Sequence, residues 1–252
     1  MRHRPCHHVM AGALVGAALA AGLVAGPAAA LAAPSSPAAA GSGPPSQPVC
    51  TPSLFASAQQ LVGTELTNRV TRLNTLIGRV TGAADLTPSD RSALLAELTG
   101  TELPGIQALQ PKVQADTTCL ELRHDAEAMV LDYRVYVVMT PQADLVIATD
   151  VADHAGGVLA GLEPAISGWI SSAQAHGTDV SGAQAAFADY QAKVTAAQGL
   201  TSGQSATLLA QVPGGYPGNK SVFLQVRANL ANAHADLHAA AADLGEIVGD
   251  LQ

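Results

Sequence analysis

His234 and His238 stand four residues apart, the spacing that sets two imidazoles on one face of a helix. Helices present paired ligands to zinc, copper or nickel in this way, so the two residues form a candidate metal site. A complete zinc site needs a third and usually a fourth ligand, and no Glu accompanies the pair as in His-Glu-x-x-His. The two histidines flank Leu237, which puts them at the border of a helical seam, where solvated imidazoles beside an interface are the plainer expectation. Asp150 and His154 repeat the spacing more weakly. Either pair is also a candidate pH-responsive contact, because histidine titrates near neutrality.

Three cysteines occur, Cys6, Cys50 and Cys119. Cys6 belongs to an amino-terminal segment that we expect to be removed. The remaining pair, in an oxidising compartment, is expected to form a disulfide closing a loop of about 70 residues, worth roughly 4 kcal/mol through the entropy of the unfolded chain. No Cys-x-x-Cys redox motif accompanies it.

Tyr133, Arg134 and Tyr136 form the third cluster. Their guanidinium and rings suit an inter-helix clamp that fixes register, through a neighbouring carboxylate or by stacking on a ring. Asp132, Asp144 and Asp150 are the nearest acids in sequence. Catalytic templates are missing: there is no Gly-x-Ser-x-Gly elbow and no phosphate-cradling glycine loop. Gly156-Gly157 and Gly214-Gly215 are expected at helix breaks. We therefore expect neither an enzyme nor a cofactor.

The elements that position these residues are helices. Phe223, Val226, Leu230, Ala233, Leu237, Ala240, Leu244, Ile247 and Leu251 recur at alternating steps of three and four, a coiled-coil seam that Asn219 is placed to cap. Leu66, Val70, Leu73, Ile77 and Val80 predict a first helix over Pro52 to Thr81. A third seam, Cys119, Leu122, Ala126, Met129, Tyr133 and Tyr136, predicts a helix halted by Pro141; Val130 to Met139 has strand-like composition, but it continues that seam. A fourth runs Val151, Ala155, Val158, Leu162, Ala165 and Trp169, with kinks expected at Gly156-Gly157 and Pro164. Residues 80–98 and 194–212 match at eight of nineteen positions at a constant offset of 114, each with a Leu-Thr before a short helix. Thr87 with Pro88 is a strong helix start. The fold class expected is all-α, an elongated antiparallel, coiled-coil-like helical bundle, with duplicated units at about 51–140 and 165–252.

Asp132-Tyr133-Arg134-Val135-Tyr136 followed by Pro141, with the Leu-Thr-Pro and Tyr216-Pro217 segments, resembles a group of exported, Ala-rich α-helical proteins of high-GC actinobacteria. The resemblance covers roughly residues 51–252. It implies an exported helical protein and no catalytic residue.

The amino terminus agrees with export. Arg2 and Arg4 precede an uncharged apolar run from Val9 to Gly26, and Ala30-Leu31-Ala32 is a small-x-small cleavage signal. We expect residues 1–32 to be a cleaved signal peptide, a retained anchor being the competing outcome, and the Pro/Ser/Gly/Ala-rich residues 33–49 to be a disordered linker. No second apolar run of comparable length is expected downstream. Loss of Arg2 and Arg4, with no acid beside them, takes the formal charge from −8 to about −10. That excludes nucleic acid and argues against anionic lipid, leaving the membrane only through an uncleaved signal. Together these features predict a secreted or cell-envelope, non-enzymatic helical scaffold whose partner is an envelope or extracellular protein. A membrane-active helical protein and an extracytoplasmic metal-binding protein are the rivals.

Overall fold

The structure is a computed structural model and describes residues 50–252; the signal peptide expected over 1–32 and the linker expected over 33–49 lie outside the described residues. The chain is an all-α helical bundle, with no strand among the described residues. Helix α1 spans Pro52–Gly82 and is capped by Thr51, whose hydroxyl accepts the Leu54 N–H at 3.3 Å. It buries Leu66, Arg69, Leu73, Leu76 and Val80, a face at steps of three and four. Helix α2, Pro88–Glu97, starts as its sequence dictates: Thr87 accepts from the Asp90 N–H, and Pro88 supplies the first turn. It passes without interruption through a π turn, Leu98–Glu102, into α3, Leu103–Ala115. Helix α4, Cys119–Leu131, opens on a capping box in which Thr118 and Glu121 satisfy each other's backbone N–H.

The helix begun at Cys119 does not run to Pro141. It ends at Leu131, and Arg134 adopts a left-handed backbone, φ 42°. A second π turn, Val135–Met139, then leads directly into α5, Thr140–Ala175. Pro141 thus begins a helix instead of ending one. Both π turns end two residues before a proline, Pro104 in one case and Pro141 in the other. A proline gives no N–H and crowds the carbonyl four residues back, and a π turn absorbs that mismatch by widening the turn before it. The strand-like valines of 135–139 are therefore helical, with Val135, Val138 and Met139 buried.

Helix α5 continues through Gly156-Gly157, contrary to the break expected there, and also through Pro164. Its buried line is also displaced by one residue from the expected seam. Val158 and Trp169 are about half exposed, whereas Ile166 and Ile170 are buried. Gly156 is buried where Gln198 and Leu237 approach, so the absent side chain sets the phase. Gly177, at φ 86°, ends α5 in the left-handed turn that suits glycine. Helices α6 (Ser181–Thr201), α7 (Gln204–Leu209) and α8 (Lys220–Asp250) complete the chain, with a short 3-10 turn at Pro213–Gly215 before α8.

The α8 seam is the clearest match between pattern and burial. Phe223, Val226, Ala233, Leu237, Ala240 and Ile247 are buried, and Leu230, Leu244 and Leu251 pack at its edges. Antiparallel pairing of α6 with α8 follows from Lys193 meeting Asp243 at 2.8 Å while Gly182 lies beside Asp250. Helix α6 is antiparallel to α5 as well, with Gln191 donating to Glu163 and, further along α6 but further back on α5, Thr201 donating to Asp153. Two apolar clusters result. One gathers α1–α4, the start of α5 and the start of α8. The other is an α5–α6–α8 layer around Ile166, Tyr190, Val194 and Ile247. Helices α5 and α8 run through both.

The two copies of the internal echo fall at comparable places and then diverge. In the first, the short segment α2 continues through the π turn into α3; in the second, α7 stops at Leu209 and a loop leads to α8.

Candidate functional site

Polar side chains inside the bundle are directed mainly at helix ends. Asp150, buried on α5, accepts the Thr87 N–H at 2.8 Å through Oδ2 and the Ser205 hydroxyl at 2.7 Å through Oδ1. One carboxylate thereby holds the starts of both α2 and α7. Asp153, one turn on, accepts from the Thr201 hydroxyl. Six residues are too few for a helix to persist alone, so α7 depends on such contacts. Gln142, also on α5 and buried, closes its other end by donating to the Leu208 and Gln211 carbonyls, both at 2.8 Å. Arg91 spreads its guanidinium over the carbonyls of Val80, Thr81, Ala83 and Leu86 and so finishes α1. Gln59 does the same for α3 through Val113, at 2.7 Å.

Asp150 and His154 do not converge. Asp150 points inward, whereas His154 is exposed and lies 3.8 Å from Asp85. Burial, and then the charge of Asp150, push the Asp90 carboxyl above its ordinary range.

Tyr133, Arg134 and Tyr136 serve three separate contacts. The Arg134 guanidinium lies 5.2 Å over the Tyr216 ring and pairs with none of Asp132, Asp144 and Asp150. Asp144 is instead engaged by Arg79 at 2.5 Å and Arg72 at 3.9 Å. The left-handed turn at Arg134 aims its side chain toward the loop before α8, away from those acids. Tyr136, 43% exposed, receives the Arg69 guanidinium from α1 at 5.0 Å. Tyr133 packs its ring against Gly105 of α3.

Cys50 and Cys119 stand at disulfide distance, with Cα atoms 6.3 Å apart, joining the residue before the α1 cap to the first residue of α4. His234 and His238 bring their Nε2 atoms to 2.9 Å on the outer side of α8, with rings nearly perpendicular at 83°. Among the described residues no group of three or more His, Cys, Asp or Glu side chains converges as a metal cage.

Two features were not legible from periodicity. The first is Glu102, buried in the first π turn with Oε2 unpartnered; burial, and then Glu97, push its carboxyl up to about 8. The second is a shallow pocket of about 170 Å³ lined by Val137, Tyr216, Lys220, Phe223, Leu224 and Arg227. Val137 and Leu224 are 43% and 55% exposed there. Lys220 and Arg227 form no ion pair among the described residues. A larger, polar groove of about 300 Å³ lies between α1 and α3, lined chiefly by glutamines and threonines.

By length and composition alone, one stretch of 18 residues within Cys119–Ala175 is apolar enough to cross a membrane, and 28% of it is buried in the bundle. Comparison with protein-family models, with curated proteins and with solved structures yields no match.

Proposed function

We propose that the protein is an exported or cell-envelope interaction scaffold without a catalytic centre. It presents the surface around Val137 and Leu224 to an acidic, amphipathic segment of a protein partner. The observation that carries this is the pairing of exposed apolar side chains with two cations, Lys220 and Arg227, that form no ion pair among the described residues, on a chain whose formal charge is −8. Apolar residues exposed together with a charged rim are the usual make-up of a recognition patch. The use of Asp150, Gln142, Arg91 and Gln59 on helix ends supports the same reading, because those side chains already have partners. Export rests on the pattern of residues 1–32.

A photo-crosslinking residue at position 224 tests it against one at Asn74, an exposed position on α1. A discrete product in cell envelope is expected from position 224 alone, lost on Val137→Asp and weakened by Lys220→Glu and by added salt. Equal labelling from both positions, or no product from either, would refute the proposal.

A further inference from the structure

The geometry points to a two-histidine site on α8, His234 and His238, that chelates a late first-row divalent cation, with Cu(II) held most tightly and Ni(II) next. The Nε2 atoms already face each other at 2.9 Å across one helical turn, so little reorganisation separates this arrangement from a chelate. At about 2.0–2.1 Å per metal–nitrogen bond, donors at that separation subtend about 90° at the ion. Such a bite angle fits neighbouring positions of a square-planar or octahedral ion. It fits poorly the wider angle of tetrahedral zinc, which would have to draw the rings apart.

Without metal, the two nitrogens share one proton in a hydrogen bond. A bound cation takes one lone pair from each Nε2, and the ring that carried the proton there changes tautomer, the proton passing to its own Nδ1. The pair lies at the solvent edge of the α5–α6–α8 layer. His234 is partly and His238 largely exposed, while the intervening Leu237 is buried and anchors the turn. Asp236 lies two residues from each histidine and is turned away from them around the helix. The remaining coordination positions are therefore left to water or to a donor from elsewhere. The net negative charge of the chain favours cation approach. Nothing in this depends on the surface around Leu224.

The test uses the tag-free full chain, titrated with Cu(II), Ni(II) or Zn(II) in a non-coordinating buffer at neutral pH. It is followed by calorimetry and, for copper, by electron paramagnetic resonance. His234→Ala and His238→Ala are compared with the unaltered chain; helix content by circular dichroism confirms that both still fold. The other histidines, including His3, His7 and His8, remain in all three proteins, so the difference isolates the pair. Each variant is expected to lose the same one equivalent of Cu(II), or to bind it at least about tenfold more weakly, 1.4 kcal/mol per tenfold. The unaltered chain is expected to bind Ni(II) more tightly than Zn(II) at that equivalent, and Cu(II) is expected to raise its melting temperature while leaving both variants unmoved. Unchanged copper stoichiometry and affinity in the variants, or loss in only one of them, would overturn the chelate. Tighter Zn(II) than Ni(II) would overturn the assigned geometry.

Discussion

Asp150 on α5 accepts the backbone N–H of Thr87 at 2.8 Å, so that the first residue before α2 hangs from a helix 63 positions further along the chain. The other oxygen of the same carboxylate holds Ser205 at the start of α7. Asp150→Ala would leave a buried N–H and a hydroxyl without an acceptor and is expected to lower stability by about 2–4 kcal/mol. Asp150→Asn keeps one acceptor oxygen and removes a charge beside Asp90, so its loss is expected to be about half as large. Urea unfolding, read as a shift in midpoint at constant slope, checks both values.

Glu102 gives the bundle a pH dependence of unusual sign. Its carboxyl is pushed up to about 8 by burial, with Glu97 adding repulsion, against 4.5 in an unfolded chain. Between these values the folded state holds a proton that the unfolded state has released. This contribution is therefore fully present below about 4.5 and is lost as pH rises through about 8. At 1.36 kcal/mol per pKa unit the full difference is about 5 kcal/mol. Glu102→Gln removes the titrating group, and the gap in stability between pH 5 and pH 8.5 is expected to shrink by most of that amount, about 4 kcal/mol. An unchanged gap in denaturant titrations would count against the buried acid as its source.

Glycines in this bundle divide by what surrounds them. A side-chain carbon at Gly105 would overlap the Tyr133 ring, so Gly105→Ala must push the ring and its left-handed neighbour outward. A loss of about 1–3 kcal/mol is expected. Gly168, within α5, has open space where its side chain would grow, and Gly168→Ala is expected to add about 0.5–1 kcal/mol. Thermal melts of the two variants should move in opposite directions.

Cys50 and Cys119 should be joined in protein recovered from an oxidising compartment. Alkylation without reductant is expected to label neither, and alkylation after reduction to add two adducts. The bond would close a 69-residue separation, so reduction is expected to cost about 4 kcal/mol. Denaturant unfolding with and without reductant measures the difference.

Much of this architecture was legible in the chain. The α8 seam was, because Phe223, Val226, Leu237 and Ile247 are large and strictly spaced. Thr87-Pro88 and Thr118 with Glu121 announced helix starts through local hydrogen bonds alone. The α5 seam was displaced because alanine and glycine occupy so many of its positions that two phases look equally apolar; Gly156, a residue without a side chain, decides between them. The break at Asp132–Arg134 carried no local signal, since a left-handed arginine is held by its ring contact to Tyr216 across the fold. For the same reason the Asp150 bridge joins residues no periodicity connects. Asn219 shows the limit from the other side. It sits where expected before α8, yet its amide reaches the Val212 carbonyl and leaves the helix start uncapped by its side chain.

Because α5 contributes buried residues at one end to the cluster containing Val146 and at the other to the cluster containing Ile166, the two halves of the molecule share one element through which their unfolding is coupled. Releasing either set of contacts frays a 36-residue rod on which the other set also rests. Amide hydrogens along this helix should therefore exchange at one common, slow rate set by global opening, and a disturbance at one end of the molecule should be felt as lost protection at the far end.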